Sequence, residues 1–225
     1  MALAFSMGFL VAIALCFGCL VFATNQQHTE TEQETTSFDV MEKPLKPVPA
    51  GTYMPVYLQN DAQWSACNYA GGTIGDSGCG LTCAAMAIKY MTTQEVTPLT
   101  LANAVGGTCL TDGVNDPEKF AYWIQATYAD YGIETTGKLY DLGEVLAMVD
   151  SGWLCFAGLG VGTLGESEYT NHVVLIWRSD DSGYWVRDPA NAANNAHAYT
   201  FDELNEANGK YYVCVKGGYY GNARN

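Results

Sequence analysis

The segment "NHVVLIWRSDDSGYWVRDP", residues 171–189, decides the fold because it contains two strands and the turn that joins them. β-branched and aromatic residues dominate His172–Arg178 and Tyr184–Asp188, as is typical of strands. The run "SDDSG" between them has the composition of a hairpin turn. Antiparallel pairing brings the far ends of the two strands together, so we expect His172 to lie beside Asp188.

The rest of the chain places most of its helices before this hairpin. We predict further strands at Trp153–Gly160 and Tyr211–Lys216, and helices at Cys79–Met91, Asp116–Tyr131, Asp141–Asp150 and, in a shorter form, Phe201–Asn208. Ser77 or Asp76 is expected to cap the first of these helices. Helices followed by an antiparallel sheet predict an α+β fold.

The segment "GDSGCGLTCAAMAIKYM", residues 75–91, places Cys79 between two glycines where a helix is predicted to begin. The positive end of a helix stabilises a thiolate, which is the reactive form of cysteine. Because Gly78 and Gly80 have no side chains, we expect a substrate backbone to approach the sulfur closely. Cys79 is therefore a candidate nucleophile, and the alternative is a role in a disulfide or in the core.

A nucleophilic thiol needs a base and a group that orients that base. The chain has three histidines. His28 lies in a polar, acidic stretch and His197 in a small polar loop, whereas His172 begins a strand. We therefore predict His172 as the general base and Asp188 as the carboxylate that orients its ring.

An oxyanion that forms on the attacked carbonyl needs hydrogen-bond donors. The backbone N–H of Cys79 is one candidate donor. A side-chain amide upstream would complete the pair, and "YLQNDAQW" offers both Gln59 and Gln63.

Taken together, the segments that carry Cys79, His172 and Asp188 resemble the papain-like cysteine peptidases of family thirty-nine. That family includes double-glycine peptidases that trim bacteriocin leaders and stand-alone secreted relatives. "PVYLQNDAQW" and "TPLTLANAV" are similar to segments on either side of the family's nucleophile. The resemblance implies an α+β papain-like fold, with the nucleophile on a helix packed on an antiparallel sheet. It also implies Cys79 as nucleophile, His172 as base and acid, Asp188 as orienting group and Gln59 as oxyanion donor, with Gln63 in reserve.

The chain divides into three regions. Residues 1–23 carry no charged side chain and are long enough to cross a bilayer, so they predict a cleaved signal peptide or a membrane anchor, with a lipidated Cys19 as a third alternative. Residues 24–50 are polar, acidic and proline-rich, and we interpret them as a disordered tether. Residues 51–225 form the predicted peptidase domain. Each alternative for residues 1–23 places this domain outside the cell or on the outer face of the membrane.

Composition limits the partners. The net charge is −14 and no basic cluster occurs, which argues against nucleic-acid binding. We expect no cofactor and no metal site, since histidines are few and no Cys-x-x-Cys pair follows residue 50. Six cysteines lie in the exported part, and their pairing stays open.

These features predict an exported, monomeric cysteine peptidase that acts on a peptide or protein substrate through a thioester. Two alternatives stay open. One is an inactive papain-like binding module at the cell surface, and the other is a cell-wall amidase or transferase on the same fold.

Overall fold

A computed structural model describes residues 47–48 and 53–220 of the chain. This part contains both helices and strands that pair mostly antiparallel, which confirms the α+β prediction. Its six α-helices are α1 (Ile74–Ser77), α2 (Cys79–Thr92), α3 (Pro98–Val105), α4 (Pro117–Thr127), α5 (Leu142–Asp150) and α6 (Phe201–Glu206).

The strands are mostly short. They are β1 (Pro47–Val48), β2 (Asn68–Tyr69), β3 (Gly72–Thr73), β4 (Leu110–Thr111), β5 (Val114–Asn115), β6 (Glu134–Thr135), β7 (Leu154–Leu159), β8 (Gly162–Leu164), β9 (Ser167–Tyr169), β10 (His172–Asp180), β11 (Gly183–Arg187), β12 (Ala198–Tyr199), β13 (Gly209–Lys216) and β14 (Tyr219–Tyr220). Six of them form one antiparallel sheet in the order β12-β11-β10-β7-β13-β6.

The predicted hairpin is confirmed. β10 and β11 pair from Asp180 opposite Gly183 to Leu175 opposite Arg187. β10 also pairs with β7 on its other side, where His172 lies opposite Leu159. The hairpin therefore occupies the interior of the sheet and is held from both edges.

The sheet separates two apolar cores, because alternate residues of each strand point to opposite faces. Val173 and Leu175 of β10 join the core beneath α2, α3 and α4, whereas Val174 and Ile176 join the core beneath α5. Both faces of the central strands are therefore covered, which explains why the first six residues of β10 are all buried.

The start of α2 differs from the prediction that Ser77 or Asp76 caps it. Both residues lie inside α1, whose N-cap is Thr73, and the N-cap of α2 is Gly78, which has no side chain to accept a hydrogen bond from the first backbone N–H groups. A Cβ on Gly78 would stand 2.4 Å from the carbonyl oxygen of Ile74. Glycine is thus needed here because the chain turns tightly from α1 into α2.

The other predicted helices are present with shorter bounds. Asp116 and Asp141 cap α4 and α5 through their side chains, and a 3-10 turn at Ala129–Tyr131 follows α4. The sequence reading missed α3, which begins with Pro98 after the capping residue Thr97. This helix packs against α2 and extends the cover on that face of the sheet.

The predicted signal or anchor at residues 1–23 lies outside the described residues, as does the predicted tether except for Pro47–Val48. These two residues pair in parallel with Tyr219–Tyr220. Within the described ranges, no helix has the length and apolar character that crossing a membrane requires.

Candidate active site

Cys79 is the first residue of α2 and its side chain is half-buried. It lines a cleft of about 390 Å³ between α2, the β4–β5 hairpin and the sheet. The side chain of Asn115 in β5 enters the same cleft, with its Nδ2 atom 3.8 Å from the Cys79 sulfur. The thiol thus lies at the positive end of a 14-residue helix and faces a cavity that can hold a ligand.

His172 lies across the cleft from this helix end because α2 packs on β10. His172 is 5% exposed, and the Nε2 atom of its ring lies 2.9 Å from Oδ1 of Asp188. Cys79 also acts on the imidazole and raises its pKa, so the two side chains are close enough to interact across the cleft. Since Nε2 faces the carboxylate, Nδ1 is the nitrogen left for the sulfur.

The electrostatic surroundings favour a charged imidazole. Burial lowers the pKa of His172, but the hydrogen bond to Asp188, together with the interaction with Cys79 and the charges of these two groups, raises it more strongly. The balance raises the pKa of His172 to about 9. A protonated ring is therefore stable between the two groups at neutral pH.

Asp188 is fully buried and accepts hydrogen bonds on both oxygens. Besides His172, Oδ1 accepts from the backbone N–H groups of Ala190 at 2.8 Å and Asn191 at 3.3 Å. Oδ2 accepts from the Tyr169 hydroxyl at 2.6 Å and from Asn194 Nδ2 at 2.8 Å. Burial raises the pKa of this carboxyl, but the hydrogen bond and charge of His172, followed by Tyr169 and Asn194, hold it below its ordinary value.

Tyr169 fixes the imidazole in a second way. Its ring stacks on the ring of His172, with centroids 4.1 Å apart and planes 19° from parallel. The same side chain therefore contacts the ring by its face and the carboxylate by its hydroxyl. The hydroxyl keeps its proton, because burial, followed by the hydrogen bond to Asp188, raises the pKa of Tyr169.

An asparagine-rich loop, residues 190–197, carries the groups that hold Asp188. Asn195 accepts from the backbone N–H of Asp188 at 2.8 Å and donates to its carbonyl at 3.0 Å. Sequence reasoning treated this loop only as polar surface and missed its role. The repeated asparagines of "NAANN", residues 191–195, were the available signal, because asparagine both donates and accepts.

The glutamines predicted as oxyanion donors lie elsewhere. Nε2 of Gln59 donates to the carbonyl of Gly75 at 2.7 Å, and the backbone N–H of Gln59 donates to the carbonyl of Pro189 at 2.8 Å. Gln63 is exposed. Neither glutamine is among the described residues that line the cleft. Gln59 instead joins the segment before Cys79 to the segment after Asp188.

The remaining candidates lie away from the cleft. His197 is exposed and packs against Tyr199. The six cysteines of the described part are free thiols, and Cys83 is buried with its sulfur donating to the carbonyl of Val173. No group of three or more His, Cys, Asp or Glu residues suited to a metal ion occurs within the described ranges.

The structure shows a packing role for the glycines that flank Cys79, whereas the sequence led us to expect that they leave room for a substrate. A Cβ on Gly80 would stand 2.7 Å from the Cβ of Asn115. Gly80 therefore lets the β4–β5 hairpin pack closely against the start of α2. Because of this contact, Asn115 reaches the sulfur.

The arrangement as a whole combines a thiol at a helix start, an imidazole that lines the same cleft and a buried carboxylate behind the imidazole. These groups can transfer a proton from sulfur to nitrogen and expose a thiolate to a carbonyl in the cleft.

Comparison with known proteins places this geometry in context. A family model described as "Peptidase_C39 like family" matches residues 52–218. One similar solved structure is a C39-like peptidase from Bacillus anthracis, 15% identical, with a TM-score of 0.49; the match covers 73% of this chain and 95% of that chain. Another is a double glycine motif protease from an AMS/PCAT transporter in complex with the leader peptide, 16% identical, with a TM-score of 0.43; the match covers 74% of this chain and 91% of that chain. A comparison with curated proteins gives no match.

Proposed function

Because the chain belongs to the Peptidase_C39 like family, a family of cysteine peptidases with a papain-like fold, we propose that it hydrolyses peptide bonds with Cys79 as the nucleophile. His172 is the general base and acid, and Asp188 orients its ring and stabilises the protonated form of the imidazole. The observation that carries this proposal is the position of the imidazole, which lies 2.9 Å from Asp188 through one nitrogen and lines the same cleft as the Cys79 thiol.

The reaction follows from these contacts. In the resting site the proton of Cys79 is transferred to Nδ1 of His172, which leaves a thiolate beside an imidazolium, and once a peptide is bound the thiolate adds to its carbonyl carbon. The backbone N–H of Cys79, at the start of α2, is the proposed donor to the resulting oxyanion. As the oxyanion collapses, the C–N bond breaks and His172 gives its proton to the leaving amine. A thioester with Cys79 remains.

Water completes the cycle. Nδ1 of His172 takes a proton from a water molecule, and the hydroxide adds to the thioester carbonyl. The C–S bond then breaks and releases the carboxylic acid product. Throughout, Asp188 keeps its charge and balances the imidazolium, as its five hydrogen-bond donors favour.

The two alternatives from the sequence are weaker on physical grounds. An inactive binding module has no need for a thiol at a helix start on the same cleft as an imidazole that a carboxylate orients, whereas nucleophilic catalysis needs all three groups together. A cell-wall amidase or transferase would use the same groups, so only its substrate separates it from a peptidase. Export and a monomeric state remain part of the proposal and rest on the sequence of residues 1–23 and on composition.

The test compares the full-length protein with its Cys79→Ala variant. Both are incubated with a peptide library and, separately, with peptidoglycan, and products are identified by mass spectrometry. We expect peptide cleavage that falls by at least about a thousandfold in the variant, because the nucleophile is lost. Cys67→Ala, which removes the other half-buried thiol, is the matched control and is expected to keep activity. Release of wall fragments without peptide cleavage would instead identify the amidase, and no product from either substrate would contradict the enzyme.

A further inference from the structure

Asn115 is a buried asparagine that touches the nucleophile. Its side chain is 9% exposed and belongs to β5, 36 residues after Cys79 in the chain. Nδ2 donates to the carbonyl of Ser77 and lies 3.8 Å from the sulfur of Cys79. Oδ1 accepts a hydrogen bond of 2.9 Å from the hydroxyl of Tyr69. All parts of this amide therefore have a partner.

The orientation of the amide is fixed by chemistry. A carbonyl oxygen can only accept, so the atom that faces Ser77 must be the nitrogen. That nitrogen carries two hydrogens, and one of them remains for the sulfur when the other is donated to Ser77. On the opposite side of the amide, the Tyr69 hydroxyl is the donor. Burial, followed by the charges of Cys109 and Cys79, raises the pKa of Tyr69 and keeps this hydroxyl protonated.

A hydrogen-bond donor stabilises the Cys79 sulfur most when the sulfur is ionised to the thiolate. Hydrogen bonds to an ionised acceptor are about twice as strong as those between neutral groups. The start of α2 has no side-chain cap, so no side chain of the cap residue competes at this helix end. The thiolate therefore has the imidazolium of His172 as one partner and the amide of Asn115 as another.

We propose, as an extension of the peptidase function proposed above, that Asn115 is a catalytic hydrogen-bond donor that stabilises the Cys79 thiolate through its Nδ2–H group. Tyr69 is its positioning residue, because the Tyr69 hydroxyl holds the oxygen end of the amide and so turns the nitrogen end to the sulfur. Neither residue carries a sequence motif, and the role follows from the contacts alone.

The experiment measures the rate at which iodoacetamide alkylates Cys79, followed by mass spectrometry of the full-length protein. Rates are taken at ~pH 7, where a donor to the thiolate matters, and at ~pH 10, where an ordinary thiol is ionised in any case. For Asn115→Ala we expect the rate at ~pH 7 to fall about tenfold and the rate at ~pH 10 to stay within about twofold of wild type. Asn68→Ala, an exposed asparagine of β2, is the matched control with an unchanged rate.

The alkylation rate at ~pH 10 distinguishes stabilisation of the thiolate from a purely structural role of Asn115. If Asn115→Ala changes both rates equally, or neither, Asn115 does not stabilise the thiolate and the inference is wrong. Tyr69→Phe keeps the ring and removes only the hydroxyl, so it serves if Asn115→Ala does not fold. We expect Tyr69→Phe to lower the rate at ~pH 7 about threefold, and an unchanged rate would overturn the inference.

The same data separate this inference from the function on which it rests. In wild type, Cys79 should react faster at ~pH 7 than Cys67, and the difference should disappear in His172→Ala. If Cys79 reacts like Cys67 in wild type, the peptidase proposal fails and the role of Asn115 fails with it. If Cys79 is reactive and depends on His172 but not on Asn115, only the present inference fails.

Discussion

The side chain of Asp188 determines the charge of the candidate site. A fully buried carboxylate is costly unless it is paired, and here five donors surround its two oxygens. Its negative charge in turn favours the protonated form of His172. The imidazole is therefore held in one orientation and one charge state before any substrate binds.

The raised pKa of His172 predicts a pH-dependent stability. An unfolded histidine titrates near its ordinary value of 6.5, whereas the pKa in the folded protein is about 9. The native state thus binds the proton more tightly, so its contribution is fully present below pH 6.5 and is lost as pH rises to about 9. We expect the free energy of unfolding to fall over this window by up to about 3 kcal/mol. Urea denaturation at a series of pH values measures it.

The control for this prediction is His172→Gln, which keeps an N–H donor for Asp188 but does not titrate. Its free energy of unfolding should be lower than that of wild type near neutral pH and nearly constant over the same window. A slope in this variant equal to that of wild type would assign the effect to another group and contradict the position of His172.

Tyr169 predicts a separate effect on catalysis. Tyr169→Phe keeps the stacking on His172 and removes one donor from Asp188, so we expect kcat to fall about threefold to tenfold with KM unchanged. Tyr169→Ala also removes the stacking and should lower kcat further. Steady-state kinetics on a peptide from the library measure both. Tyr122→Phe, which alters an exposed tyrosine of α4, is the control; a rise in KM alone would show that Tyr169 binds substrate instead of positioning the imidazole.

At the scale of elements, the start of α2 and the β4–β5 hairpin form one unit. Gly80 lies under Asn115, and a Cβ there would come within 2.7 Å of the Cβ of Asn115. The distance between the β4–β5 hairpin and the Cys79 sulfur therefore depends on the absence of a side chain at Gly80. This contact explains why a residue of a two-residue strand can reach the nucleophile.

Gly80→Ala tests this unit. Alanine favours a helix by about 1 kcal/mol over glycine, but the clash with Asn115 should cost about 1–3 kcal/mol and move the hairpin. We expect a lower melting temperature together with a lower kcat/KM, measured by calorimetry and by peptide cleavage. Gly107→Ala is the control, because no atom lies within 4 Å of its added Cβ. A melting temperature above that of wild type with unchanged activity would show that the hairpin does not depend on Gly80.

The β10–β11 hairpin shows how much of the fold the sequence can predict. Its strands have β-branched and aromatic residues and its turn is polar, so the antiparallel pairing follows from local pattern, whereas the bulge between Ile176 and Arg178 that shifts the register does not. The approach of His172 to Asp188 could therefore be expected from local pattern alone. Helix α3 was missed because "TPLTLANAV" is short and half apolar, and only its capping threonine and Pro98 indicate a helix.

The contacts of Asn115 and Gln59 show where sequence reasoning ends. Asn115 meets Cys79 only because α2 and the β4–β5 hairpin pack together, and no local period encodes that contact. Gln59 was chosen for its residue type and its place upstream of Cys79. The direction of its amide depends on where the carbonyl of Gly75 lies, which the tertiary structure determines.

At the scale of the whole molecule, the sheet carries one half of the candidate site and the helical layer carries the other. His172 is fixed by β10 and Asp188 follows β11, while Cys79 lies on α2 and Asn115 on the hairpin above it. Burial of the apolar faces between the layers therefore sets the distance between thiol and imidazole. Arg187, buried beside Asp188, adds hydrogen bonds to the carbonyls of Met54 and Pro55 and so joins the segment that begins at Tyr53 to the sheet.

The most direct measurement is the mapping of the residue that reacts with a peptidyl vinyl sulfone, which forms a stable bond with a catalytic thiolate. The full-length protein is incubated with the reagent near neutral pH, digested and analysed by mass spectrometry, in parallel with its His172→Ala variant. We predict one adduct, on Cys79, that forms at least about a hundredfold more slowly in the variant. Adducts spread over several cysteines, or an adduct on Cys79 that forms equally fast without His172, would contradict a catalytic pair of these two residues.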